Sequence, residues 1–294
     1  MDFFLIVVCV VAFSVNSLSI RLFQTKIENG KAWLSAFQAL FCLIAAGVFF
    51  LFGKGVAIRL DTVLYGILFG VLFFGAVLFT AKGFETGSMA LTAIITNMSL
   101  LFPVLYSIFF QKESFTPFHA IGLLLFFCTF VLSAVQKDAT RSGKRIWPVF
   151  VCAAFICNGA TAVIQKHFVL SSGMAQTEPF MAIAYFCAAY LFAVYFLLSK
   201  RHRATRLEEP RFCAPLQLLL LALAAGAGSF GGNLLLGNLS DRVNGAVLYP
   251  CVNGGLCVLV TMASCLLFSE KLNRRKGIAI LTGCCAIVML NLSF

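Results

Sequence analysis

An all-α integral membrane protein, with ten transmembrane helices arranged as two inverted five-helix repeats, is the fold class that this sequence predicts. Three observations carry the expectation. Apolar residues make up 61% of the 294 and charged ones only 11%, which is more apolar surface than a soluble domain can bury. Cutting the chain at its charge clusters leaves ten apolar runs, each close to the roughly 20 helical residues that cross a hydrocarbon core of about 30 Å. Two of those runs, at matching places in the two halves, are interrupted by a proline, Pro103 within 91–110 and Pro250 within 246–268. Proline removes a backbone hydrogen bond, so both segments are expected to be broken helices.

The first run, 3–23, follows Asp2 instead of a cation and is trailed closely by a second, so it reads as a helix and not as a secretory signal. Runs at 32–52, 62–81, 88–110 and 117–136 complete the first repeat, residues 1–136. A basic linker, 137–146, carries Lys137, Arg141, Lys144 and Arg145. The second repeat, 147–294, holds runs at 147–168, 179–199, 215–238, 246–268 and 277–293. Only short loops remain, so the net charge of +11 speaks to topology and not to a nucleic-acid partner. Of the 22 Lys and Arg, 17 fall in loops on one side and 5 on the other; the positive-inside rule makes the richer side cytoplasmic and places both termini outside.

Glu113 precedes Thr116, a candidate N-cap of the fifth run, by three residues. Glu270 stands in the same relation to Asn273 at the tenth. Both carboxylates read as structural helix-end residues, favourably placed against exposed amides. Five spans separate them, an odd number, so the two halves are oppositely oriented: an inverted repeat.

On these features the chain resembles the drug/metabolite transporter superfamily, specifically proteins with two EamA-type five-helix repeats. The likeness covers nearly the whole chain. It rests on the ten runs, on Glu113 and Glu270, on the segment Gly277 to Gly283 in the last run, and on Gly122 in its counterpart. It departs from the pattern where Gly122 corresponds to Ala279 and where Pro103 lacks a proline at its own offset. The resemblance implies a central cavity between the repeats, alternating access and small-molecule transport without ATP. It also implies cytoplasmic termini, against the charge count, which is kept here.

Polar residues inside apolar runs are costly unless they face the bundle or a cavity. Thr92, Thr96, Ser99, Pro103 and Ser107 share one helical face, with Asn97 beside it. Asn158, Thr161 and Gln165 form a second stripe, Gly226, Ser229, Asn233 and Gly237 a third, and Tyr249 with Asn253 a fourth. Asn16 marks the first run. Helix packing competes as an explanation for each stripe, since small residues permit close approach and Asn bridges helices. The candidate substrate-binding residues are therefore Asn16, Thr96, Asn97, Asn158, Asn233, Tyr249 and Asn253. Pro103, Pro250, Gly254 and Gly255 are candidate hinges.

All eleven acidic residues lie at run ends or in loops, where none offers the intramembrane carboxylate that proton-driven exporters of organic cations employ. That favours a neutral or zwitterionic metabolite, such as an amino acid, with export ahead of uptake. Multidrug efflux of organic cations and a non-transporting membrane receptor or scaffold are the alternatives. Proton coupling stays open. Lys82 and Lys166 are expected to snorkel from run ends, with anion binding by Lys166 as the alternative.

No enzyme, metal or cofactor is expected. His119, His167 and His202 lie near loops with no membrane carboxylate to orient them, and eleven of the twelve cysteines fall in apolar runs without zinc-ligand spacing. Gly226 to Gly231 matches G-x-G-x-x-G but lies in mid-helix with no preceding strand. Asn97-Met98-Ser99 fits a glycosylation sequon that the bilayer would bury. The expected partners are the lipid bilayer and a small-molecule substrate, and the expected location is the plasma membrane.

Overall fold

The computed structural model describes residues 2–26, 33–53, 55–87, 89–113, 116–134, 145–202, 215–267 and 274–291. Every regular element among them is helical. The helices are α1 (Asp2–Lys26), α2 (Leu34–Phe52), α3 (Leu60–Thr86), α4 (Met89–Asn97), α5 (Leu101–Gln111), α6 (Pro117–Ala134), α7 (Trp147–Ser172), α8 (Thr177–His202), α9 (Pro215–Ser240), α10 (Gly245–Leu267) and α11 (Arg274–Asn291). A 3₁₀ turn at Met98–Leu100 joins α4 to α5, and another at Met174–Gln176 precedes α8. Taking α4 and α5 as one interrupted element, a helix stands at each of the ten expected places. Eight are long and apolar enough to cross a membrane; α6 and α11 occupy the other two positions. Phe50, Phe109, Phe110 and Leu124 are among the large apolar side chains left on the outside, as expected where lipid is the solvent.

The two prolines behave differently. Pro103 falls in the first turn of α5, where its missing N–H has no intrahelical partner to lose, and the interruption lies just before it at 98–100. Pro250 does not break its helix, contrary to expectation. α10 runs through it, because the forfeited bond would go to Ala246, the second residue of the helix, so that a single bond is lost next to a terminus already short of partners.

The helices also run further than the hydropathy cut. α3 continues to Thr86 and α7 to Ser172, so Lys82 and Lys166 sit inside helices. α5 ends in a left-handed residue, Lys112 (φ 54°), the only positive-φ non-glycine among the described residues, and Glu113 N–H returns to the Ser107 carbonyl across it. α7 stops at Gly173, whose φ of 78° suits glycine.

Packing pairs α1 with α9, α3 with α7, α2 with α8, and α6 with α11. α1 also meets α10, while α7 meets α4 and α5. Small residues make these approaches possible. A Cβ on Gly70 would crowd the Ala184 carbonyl, and one on Gly228 would crowd Ala12 and Asn16. The G-x-G-x-x-G segment is thus a helix-packing surface, with Gly226 against Phe41 and Ile44 and Gly228 against α1. Gly254 and Gly255 do the same work in α10: the first lies under the ring of the fully buried Phe126, the second against Val10. An aromatic cluster of α2, α3, α7 and α8, including Phe49, Phe168, Phe180 and Tyr185, forms one core. Val104, Phe126, Val247 and Leu248 belong to the other.

Candidate functional site

The interruption between α4 and α5 faces α7 and α10 across a cavity of about 240 Å³. The stripe read from the fourth run supplies one wall, with Thr96 and Asn97 from the end of α4, Ser99 and Leu100 from the 3₁₀ turn, and Pro103 from α5. Asn158 and Ala162, one turn apart on α7, form the second wall. Tyr249 and Asn253, one turn apart on α10, form the third, and Thr80 of α3 completes the lining. No charged side chain is part of it.

Most of the lining polar groups are held by their own helices. Asn158 Nδ2 donates to the Ala154 carbonyl and Asn253 Nδ2 to the Tyr249 carbonyl, each at 2.9 Å. A carbonyl only accepts, so these contacts fix both carboxamides and leave each Oδ1 as an uncommitted acceptor. Thr80 Oγ1 donates to Ala76 O at 2.7 Å and Thr96 Oγ1 to Thr92 O at 2.8 Å, again leaving oxygen lone pairs unused. Asn97 and Ser99 carry no side-chain hydrogen bond among the described residues. The cavity is therefore uncharged and rich in acceptors, with the Asn97 amide as its adaptable donor. Its volume lies just below the ~300 Å³ at which pockets for drug-sized ligands begin, which suits a small metabolite.

Five of the seven candidate binding residues, Thr96, Asn97, Asn158, Tyr249 and Asn253, meet at this cavity. The other two do not. Asn16 Nδ2 donates to the Ala225 carbonyl at 2.9 Å and ties α1 to α9. The Asn233 side chain lies in a buried network, donating to Tyr185 Oη at 2.8 Å and to Ser229 O at 2.9 Å, while the Asn233 backbone carbonyl accepts from Gln165 Nε2 at 3.2 Å. Both are helix-bridging side chains. Of the candidate hinges, Pro103 lines the cavity; Pro250, Gly254 and Gly255 lie along α10 outside the lining.

The sequence reading missed Thr80, Leu100 and Ala162. Only Thr80 left a trace: apart from Tyr65 it is the sole residue with a hydroxyl or other hydrogen-bonding side chain between Thr62 and Lys82.

Two helix-end expectations are also revised. Glu113 does not serve α6, whose start is closed instead by Thr116 N–H donating to His119 Nδ1 at 2.9 Å. The left-handed Lys112 turns Glu113 across the bundle. There Oε1 meets Lys166 Nζ at 2.6 Å, and Oε2 accepts from the Gly245 N–H at the first turn of α10, also at 2.6 Å. Lys166 does not snorkel; its side chain is 0% exposed and also donates to Ser107 Oγ at 2.6 Å. Glu270 and Asn273 lie outside the described residues. No group of three or more His, Cys, Asp or Glu among the described residues is placed to hold a metal ion.

No protein family and no curated protein matches the sequence. The fold is similar to that of a chain of known crystal structure, described only as a protein, with a TM-score of 0.69 and 17% identity over 99% of this chain and 96% of that one.

Proposed function

We propose that this protein is a secondary transporter that moves a small neutral or zwitterionic metabolite by alternating access, with export its physiological direction. The observation that carries the reading is the cavity, since four transmembrane elements contribute uncharged polar groups to one partly open space at an interrupted helix. A 3₁₀ stretch inside a longer helix often marks a functional hinge, and transporter sites are typically built at discontinuous helices. The solute is held by its own N–H and O–H groups, received by Asn158 Oδ1, Asn253 Oδ1 and the two threonine hydroxyls. Organic-cation efflux is the poorer reading, because Glu113 is already engaged by Lys166 and Gly245 and no carboxylate faces the cavity.

The architecture proposed is ten spans in two inverted repeats, α1 to α6 (1–136) and α7 to α11 (147–294). The helix contacts support it. Exchanging each helix of the first repeat for its counterpart in the second turns the α1–α9 contact into α7–α3, turns α2–α9 into α8–α3, and leaves α2–α8 and α6–α11 unchanged; all of these contacts occur. Basic loops are then cytoplasmic and both termini external, in the plasma membrane.

Thermal unfolding of the detergent-purified protein against amino acids, sugars, organic cations and nucleotide conjugates tests the reading, with Asn253→Ala in parallel. A solute at 100 times its Kd stabilises by about 2.7 kcal/mol. The expected result is a shift with a neutral or zwitterionic class that Asn253→Ala weakens about tenfold, and flux of the same solute in proteoliposomes. A shift confined to organic cations, or binding without flux, would overturn it.

A further inference from the structure

Three helices that line the cavity each send a second residue, one turn along the same face, to a single polar cluster. Pro103 is followed by Ser107, Ala162 by Lys166, and Tyr249 is preceded by Gly245, four residues apart in every case. At this cluster Lys166 Nζ donates to Ser107 Oγ and to Glu113 Oε1, while Glu113 Oε2 accepts the Gly245 N–H, each at 2.6 Å. Ser107 Oγ in turn donates to the Pro103 carbonyl at 2.9 Å. The cluster thus fastens α5, α7 and α10 together. It lies toward the end where α5 and α7 finish and α10 begins, between the cavity and the connections at 111–117, 172–177 and 240–245. Gly245 permits the closure, because a Cβ there would overlap Ser107 Oγ and press on Lys166 Nζ. Tyr249, shared with the cavity wall, keeps its ring centroid 6.0 Å from the ammonium.

At the opposite end of the cavity the corresponding link is neutral. Trp147 Nε1 at the start of α7 donates to Thr92 Oγ1 of α4 at 2.9 Å.

We infer that Lys166, Glu113 and the Gly245 amide form the gate that shuts the cavity toward the 111–117 end, and that separation of this cluster admits solute there. Burial explains why the device is ionic. A lone ammonium enclosed by apolar helices is strongly unfavourable, so Lys166 is satisfied either with Glu113 in the shut state or with water once α5 and α10 have moved away from α7. Intermediate positions satisfy neither, which makes the two positions discrete. Lys166 and Glu113 are positioning residues and do not touch the solute. The inference rests on the transporter reading above.

Amide hydrogen exchange, followed by mass spectrometry on the full chain in nanodiscs, tests it with Lys166→Met. Releasing the gate should speed exchange at least tenfold in peptides covering 107–113 and 241–249. In the same sample it should slow exchange at least threefold in peptides covering 89–96 and 147–154, because alternating access closes one end as the other opens. A residue of purely structural importance would loosen its own neighbourhood and leave the far end unchanged. That outcome, or no change at either end, overturns the gate. Glu113→Gln provides a second release from the opposite partner and should give the same reciprocal pattern. Reciprocal exchange without flux of any solute would sink the transporter reading alone, whereas intact flux with an unresponsive far end would sink the gate alone.

Discussion

Replacing Glu113 by Gln should destabilise the protein more than replacing Lys166 by Met, and adding the second substitution to the first should restore stability. The expectation follows from how each partner is enclosed. Glu113 uses two different oxygens for two donors, Lys166 Nζ and the Gly245 N–H. A carboxamide in its place would have one oxygen and an NH₂, so one of those donors would face another donor, and the ammonium, 0% exposed, would have no anion. Removing one partner of a buried ion pair typically costs about 3–5 kcal/mol. Lys166→Met is milder. The remaining carboxylate keeps its Gly245 bond and, at 20% side-chain exposure, reaches water, which brings the cost nearer the roughly 1–3 kcal/mol of a half-satisfied polar group. In the double variant the carboxamide oxygen accepts from Gly245, its NH₂ turns outward, and no buried charge remains. That variant should sit about 1–3 kcal/mol above Glu113→Gln alone. Unfolding curves in SDS-containing mixed micelles, collected as a double-mutant cycle, read this directly. Additive losses, or a double variant less stable than Glu113→Gln, would refute the reasoning.

The other predictions concern single contacts. Asn16→Ala should cost about 0.6 kcal/mol, the average for an interhelical membrane hydrogen bond, and leave solute affinity unchanged because its amide serves Ala225; a tenfold loss of affinity by thermal shift titration would contradict that. Gly254→Ala should cost about 1–3 kcal/mol by driving a methyl into the Phe126 ring, with recovery on adding Phe126→Leu, measured by thermal unfolding. Thr80→Val should weaken solute binding about fivefold at unchanged stability, since its hydroxyl donates only within its own helix and offers the cavity an acceptor.

Hydropathy sufficed to place helices at all ten expected positions, because a long apolar run has few other ways to satisfy its backbone in lipid. Period also grouped part of the cavity lining: Thr96, Ser99 and Pro103 share one face with Asn97 beside it, and all four line the cavity, whereas Thr92 and Ser107 on the same face do not. Periodicity does not say which neighbour a face meets. Asn16 and Asn158 are chemically alike, each near the middle of its run, yet one bridges to α9 and the other faces open space. Lys166 was misjudged for a related reason. The apolar run ends near residue 168 but the helix continues to Ser172, which puts the side chain a turn deeper, and its partner lies 53 residues away in sequence. The different fates of Pro103 and Pro250 were likewise invisible until the helix starts were known, since a proline's cost depends on its distance from an N-terminus.

The four-residue spacing between each cavity wall and its fastening point has a consequence for length changes. One residue inserted between Ala162 and Lys166 would turn everything beyond it by about 100° and advance it by about 1.5 Å, carrying the ammonium away from Glu113 while Asn158 stayed in place. The same holds between Pro103 and Ser107 and between Gly245 and Tyr249. The polar side chains at the cavity wall, such as Asn158 and Asn253, can therefore vary one at a time to suit a different solute, but the number of residues between each wall and its fastening point is fixed. A graft of this binding face onto another bundle would have to carry all three turns whole, in phase with one another.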